Sequence, residues 1–239
     1  MATGNELTVV VPVEEYAIMN GPSAQIVLEN LAGDQISAGD LPRIKVPTAG
    51  AKNWELPDGS TVQSFEGIII YNALQKARWE GSTPTPGTPP VCFGRVDVQT
   101  GVWIGTGVPG GDCTQCPYNQ FESEIKDGQP GRGKACKDKR ICLVFTPTSI
   151  MPSVFYVPAT SLSNMKRYLI NLDRRYQNVV TRFGLEADRS ASGIAYSKAT
   201  FAKAGNVSAE TAGQLASMIR AMTPLFQQII VSTTPSDAE

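Results

Sequence analysis

The residues best suited to chemistry in this chain are its five cysteines, Cys92, Cys113, Cys116, Cys136 and Cys142, four of them inside GGDCTQCPYNQFESEIKDGQPGRGKACKDKRICLVF (110–145). Three chemistries use such a set. A disulfide framework needs an oxidising compartment, and MATGNELTVV lacks the basic region, apolar stretch and cleavage site of a secretory leader. An odd number of cysteines also pairs poorly. A redox C-x-x-C opens a helix beside a βαβ unit, whereas Cys116 runs straight into Pro117 in a glycine-rich region. A metal knuckle fits better: Cys113-x2-Cys116 aims two thiolates at one ion, and two further cysteines complete a tetrahedron. Cys136 is the third ligand. The fourth is Cys92, which follows a Pro-Pro loop, or Cys142, which sits inside the apolar run RICLVF as a small core residue would. Four thiolates around Zn²⁺ leave no position for water, so the expected zinc is structural. Lys134, Lys137, Lys139 and Arg140 stand close enough in sequence to offset the surplus negative charge.

Other chemistry lacks its parts. The chain contains no histidine, which excludes Ser-His-Asp, Cys-His and HExxH systems. It has no G-x4-GK[ST] and no strand-linked GxGxxG, and GTGVPGG runs into cysteines rather than a helix. The acids are scattered, Glu122 and Glu124 being the closest pair, where a Mg²⁺-dependent nuclease needs clustered carboxylates. The expectation is a protein that is not an enzyme. The net charge of −1 conceals an asymmetry: residues 1–60 hold three Lys/Arg against eight Asp/Glu, and residues 61–203 hold seventeen against eleven. A basic centre of this kind suits a polyanion. No apolar run reaches the roughly 20 residues of a membrane span, so the expected setting is cytoplasmic, without a membrane partner.

The elements that must position these residues are mostly short strands. LTVVVPV (7–13), AQIVLEN (24–30), RIKVP (43–47) and FEGIIIYNAL (65–74) are β-branched or apolar runs bounded by Gly, Pro and Asp. EGSTPTPGTPP (80–90) is a loop, CFGRVDVQTGVWIG (92–105) reads as a hairpin, and RICLVF (140–145) and PSVFYVP (152–158) as a further strand pair. Helical spacing begins at Ser161, with Leu162, Met165, Leu169 and Leu172 on one face and Thr160 or Ser161 as cap. A second helix starts near Ser208, carries Ala212, Leu215, Ile219 and Met222, and is limited by Pro224; VSTTPSDAE (231–239) reads as a disordered tail. The fold class expected is α+β, mainly β: a compact antiparallel barrel with an inserted zinc module and C-terminal helices. Its parts would be an N-terminal arm of strands (1–39), a β core (40–185) containing the module (about 106–142) and the following helix, and a C-terminal helical segment with tail (186–239).

The segments DLPRIKVPTAGAKNWELPDG, FEGIIIYNALQKARWEG, PPVCFGRVDVQTG, GGDCTQCPYNQF, GKACKDKRICLVF and MPSVFYVPATSLSNMKRYL, in that order over about residues 40–172, resemble a family of small proteins encoded by bacteriophages and integrative elements. Its skeleton is an R-x-W element (here Arg78 next to Trp79), P-x-C, C-x-x-C-P, G-K-A-C and P-x-T-S-L. The resemblance implies Cys92, Cys113, Cys116 and Cys136 as the ligand set and leaves Cys142 out. More loosely, the arrangement is similar to the single-stranded-DNA-binding proteins of T-even phages, which set a zinc subdomain beside an OB barrel. This implies an OB-like core, although the chain lacks a histidine ligand and its tail (Asp237, Glu239) is weakly acidic.

Single-strand binding needs cations that follow phosphates and rings that stack on bases. The candidates are Trp54, Arg78, Trp79, Tyr118, Phe121, Arg132, Lys134, Lys137, Lys139, Arg140, Lys166 and Arg167. The function expected is non-sequence-specific binding of single-stranded DNA in phage or mobile-element replication or recombination, alongside partner proteins of those processes. The alternative is a zinc-containing phage adaptor that binds host transcription or defence machinery.

Overall fold

The structure, a computed structural model, describes residues 12–16, 19, 24–34, 36, 40–80, 89–97, 99–126, 128–190 and 193–232. It is α+β and mainly β. Strands β1 (Arg43–Ile44), β2 (Trp54–Glu55), β3 (Thr61–Val62), β4 (Phe65–Arg78), β5 (Cys92–Val96), β6 (Trp103–Gly107) and β7 (Gly111–Asp112) come first. They are followed by β8 (Ile125–Lys126), β9 (Gln129–Pro130), β10 (Lys137–Phe145), β11 (Ser153–Val157), β12 (Val179–Arg189) and β13 (Ala195–Asn206). The helices are α1 (Ala24–Leu31), α2 (Leu162–Ile170) and α3 (Ala209–Ser232).

The organising element is β4. Its run of three isoleucines is buried on both faces, as in strands covered from two sides. One edge of β4 pairs with β10 over almost its whole length, from Lys137↔Ala77 to Phe145↔Ile68, with a bulge between Leu143 and Val144. The other edge is divided. Its start, Phe65–Gly67, pairs with β12 of the β12–β13 hairpin. Its end, Gln75–Arg78, pairs with β5, which continues into β6 and β7. The remaining edge runs β10, β11 and then β1, the last pair parallel.

The two faces carry two cores. Ile68, Ile70, Ile141, Leu143 and Val154 pack with Leu215, Met222 and Phe226 of α3 and with Val13 and Tyr16. Ile69, Cys142, Val144 and Phe155 face the other way, onto Trp54, Met165 and Tyr168 of α2, and Phe183 of β12. This alternation of neighbours along β4 and β10 is the two-residue period of a strand.

Several sequence expectations are corrected. The sheet ends in β1 and β7, and among the described residues it does not close, so there is no closed barrel. Short strands with turn signals fit an open sheet as well as a barrel, because closure depends on a first-to-last pairing that no local pattern encodes. Residues 24–30 form a helix, which ends in left-handed backbone at Ala32 (φ 49) and Gly33 (φ 99). The strand read over 7–13 mostly lies outside the described residues, and Val13–Glu15 is a single 3-10 turn. Within the segment expected to be helical, the residues up to Arg189 and those of Ala195–Asn206 are the two strands of the β12–β13 hairpin. Pro224 lies inside α3 instead of ending it; burial of Met222 and Phe226 on either side offsets the hydrogen bond that proline removes. Ser161 stands at the start of α2 without capping it: its Oγ accepts the Ala199 N–H at 2.9 Å and ties the helix to β13. The tail expected over 231–239 lies, from 233 on, outside the described residues.

Candidate metal centre and its cationic rim

The β5–β6 hairpin sets the floor. Its turn is held by Asp97, whose Oδ1 accepts the backbone N–H of Gln99 (3.0 Å) and Thr100 (2.8 Å). Cys92 opens β5 opposite Gly107 of β6. The chain then doubles back through β7, and the Cys113 N–H donates to the Trp103 carbonyl at 2.9 Å. Asp112 accepts the Thr114 N–H at 2.7 Å and so shapes the knuckle. Cys136 returns to the same place because its N–H donates to the Tyr118 carbonyl at 2.8 Å.

Cys92, Cys113, Cys116 and Cys136 all line one small cavity of about 10 Å³, roughly the room of a single small species. Two glycines leave space for the sulfurs. A Cβ at Gly94 would stand 2.7 Å from the Cys113 Sγ, and one at Gly105 would stand 3.3 Å from both the Cys113 and Cys92 Sγ atoms. As placed, the thiols are not gathered into a finished coordination sphere: among the described residues no group of three or more His, Cys, Asp or Glu stands as a metal site. The donor set nevertheless fits zinc, since all four ligand candidates are thiols around one ion-sized space. Cys142 is elsewhere. It is fully buried on β10 between Asn72 and Phe155, and burial pushes its thiol up to about 12.

Charge around the cavity is arranged by Lys76, which sequence reading missed. Its side chain is nearly buried, ion-paired to Asp138, donating to Asn119 Oδ1 at 3.2 Å and lying 4.9 Å from the Trp103 ring centre. Burial raises the thiols of Cys113 and Cys136, the latter to about 11, and Lys76 pulls both the other way. Asn119, also missed, accepts from Lys76 and Lys134 and donates to the Cys113 carbonyl at 2.8 Å. The signal available for Lys76 was a cation two residues before Arg78 at the end of a strand that begins with an apolar run, FEGIIIYNALQKAR.

The cations and rings of the rim come in pairs. The Arg78 guanidinium lies 4.2 Å from the Tyr118 ring centre, Lys134 5.2 Å from Phe121, and Lys139 5.3 Å from Trp79. Lys76 over Trp103 is a further such contact. It, Arg78–Tyr118 and Lys134–Phe121 lie around the cysteine module, whereas Lys139 stands one row over, on the opposite face of the sheet. Phe121 is 74 % exposed and Tyr118 37 %, whereas Trp79 is buried.

Other expected site residues are placed differently. Trp54 is fully buried, edge-on to Phe65 and Phe155, and has no surface to offer a base. The run from Arg132 to Arg140 is not an open basic patch. Lys137 is ion-paired to the buried Glu124, and Arg140 is buried against Asn72, its charged form disfavoured by desolvation. Arg132 is exposed. Lys166 and Arg167 are exposed on α2, which packs on β13, and Arg167 lines a separate cleft with Tyr168 and Phe201. No helix among the described residues is long and apolar enough to cross a membrane. Comparison with protein-family models, curated proteins and solved structures returned no match.

Proposed function

We propose that this protein binds single-stranded DNA without sequence preference, using a surface ordered by one structural zinc ion. The observation that carries the reading is the gathering of three cation–ring pairs, Lys76–Trp103, Arg78–Tyr118 and Lys134–Phe121, around the cysteine module, with Tyr118 and Phe121 exposed. Rings stack on bases whatever the sequence, and cations beside them meet the phosphates. Cys92, Cys113, Cys116 and Cys136 would hold the zinc, which would supply a fixed scaffold and no reaction. The reading does not draw on an OB barrel, because the open sheet supplies the surface. The motif resemblance adds a phage or mobile-element setting, in replication or recombination.

A second reading, an adaptor for a host protein, is favoured by Val102, Ile104 and Val108, exposed aliphatic residues on the same module. Titration of labelled oligo(dT) against a duplex of equal length, at several salt concentrations, separates the two. Preference for the single strand with a salt-dependent affinity supports the first. Equal or absent binding at every salt concentration overturns it and leaves the adaptor.

A further inference from the structure

The end of β4 brings one donor to the cysteine cavity that the fold itself does not use. Arg78 is the last residue of β4, and its register partner on β5 is Cys92. Its side chain lines the same small cavity as Cys92, Cys113, Cys116 and Cys136. Two contacts fix the guanidinium. Its Nη2 donates to the Val108 carbonyl at 2.9 Å, and the planar group lies 4.2 Å from the centre of the Tyr118 ring. Pro109, next to Val108, and Tyr118 both line the cavity, so Arg78 bridges two sides of it. The remaining donor, Nε–H, is buried and has no hydrogen-bond partner.

A buried donor left unmade is costly, and more so on a charged group. Among the acceptors that line the cavity, Asn119 Oδ1 already accepts from Lys76 and Lys134. The sulfurs are the acceptors that remain in number. A thiol sulfur accepts weakly, whereas hydrogen bonds to an ionised acceptor are about twice as strong. Arg78 is therefore matched to the thiolate form of the site. Lys76 is already ion-paired to Asp138, which leaves Arg78 to offset the surplus negative charge of four thiolates around a divalent ion. Tyr118 is tied to the same cysteines through the backbone: its carbonyl accepts the Cys136 N–H at 2.8 Å, and it follows Cys116 by two residues. Its ring is still partly exposed.

We infer that Arg78 is a positioning residue that joins the metal centre to the binding surface: its Nε–H serves a ligand thiolate while its planar group holds the Tyr118 ring where a base can stack. Presentation of the ring then depends on metal occupancy, and by linkage a bound single strand helps to retain the metal. The stacking half rests on the single-strand reading. The thiolate half needs the metal site alone.

The test compares the full wild-type chain with Arg78→Leu and Arg78→Lys. Each is loaded with Co²⁺ in place of Zn²⁺, and the thiolate-to-metal charge-transfer band is recorded. Metal loss to a chromogenic chelator, with and without oligo(dT), oligo(dT) affinity and melting temperature are measured in parallel. A hydrogen bond lowers the energy of the sulfur electrons, so the band should move to longer wavelength in Arg78→Leu. Metal affinity should fall about 10–100-fold, the usual loss when a group supporting a metal ligand is removed. Arg78→Lys, which keeps the charge without the planar fork, should fall between. Oligo(dT) should slow metal loss from wild-type protein and not from Arg78→Leu. If Arg78→Leu does not fold, the band of Arg78→Lys decides. If wild-type protein holds the metal and binds oligo(dT) but neither variant moves the band or the rate of loss, the assignment is overturned and the single-strand reading stands. A drop in oligo(dT) affinity with the band unmoved marks Arg78 as a direct phosphate contact and also overturns it. If band and rate respond but wild-type protein binds no oligo(dT), the thiolate contact stands and the single-strand reading falls. If wild-type protein takes up neither metal, the assignment falls with the metal site.

Discussion

At its start, β4 lies among aromatic rings: Phe65 stacks on Phe183 at 4.6 Å, Phe155 meets Phe183 at 5.8 Å, and Trp54 closes the group edge-on. At its end, the same strand lies under glycines, thiols and a buried lysine. The first region is an apolar core able to hold itself together. The second leaves Val102, Ile104, Val108, Phe121 and Ile125 exposed and is tied by single links, such as Lys76–Asp138, Lys137–Glu124 and the backbone bond from Cys136 to Tyr118. A region with so few apolar anchors gains its order from polar links and from whatever joins the thiols. The same economy leaves rings and cations outside the core, where a ligand can reach them.

The contrast is broken most severely from the apolar side. Phe183→Ala removes a fully buried ring from the shared sheet and should cost about 3–5 kcal/mol, with both regions unfolding together in a thermal melt. Cys136→Ser attacks the other end. Zinc content should fall from about one equivalent to none, and hydrogen exchange should quicken over 109–136 while 179–206 stays protected. Gly94→Ala is subtler, since its Cβ would meet the Cys113 Sγ at 2.7 Å. Overpacking of this kind costs about 1–3 kcal/mol, and here it should appear as weakened metal retention against a chelator, with the core melt nearly unchanged. Acidification should also release the metal. Burial favours the neutral thiols, Cys136 reaching about 11, so binding zinc displaces protons. Apparent affinity should therefore drop on acidification by up to about tenfold per pH unit for each proton released.

The smallest effect falls on the other apolar core, the one under α3. Thr211 and Ser208, at the start of α3, donate to Glu14 and hold its carboxyl below the usual value of 4.5. A group depressed in the folded state contributes above its unfolded value and loses that contribution as pH falls through the folded one. Helix α3 should therefore loosen slightly below about pH 4.5, an effect that Glu14→Gln removes. Hydrogen exchange of 209–216 reads it.

The sequence made β4, the 92–105 hairpin, β10, β11 and α2 legible, because their apolar runs are strong and bounded by turn residues. The β12–β13 hairpin was not, because Ala, Gly and Ser dilute the alternation in TRFGLEADR and YSKATFAKAG. The cysteine spacing pointed to one cluster and left Cys92 and Cys142 open; placement of Cys142 between Asn72 and Phe155 depends on strand register. Lys76 and Asn119 act on partners 62 and 43 residues away, a distance no local pattern spans. Trp54 has polar neighbours in KNWE and its burial comes from distant rings. The basic run looked open because the carboxylate that pairs with Lys137 lies 13 residues earlier, on the far side of two short strands.

Strand β4 is complete before β5 begins, and β10 comes back to it only after β9 has been made. As a polymer, the cysteine module is thus a closed loop whose two ends are neighbours in the sheet. The entropy of closing such a loop grows only logarithmically, by about 0.6 kcal/mol for each doubling of its length. The β4–β10 register is fixed by side chains on those two strands. The chain between them can lengthen, shorten or be exchanged for another insert while the frame that carries it keeps its shape.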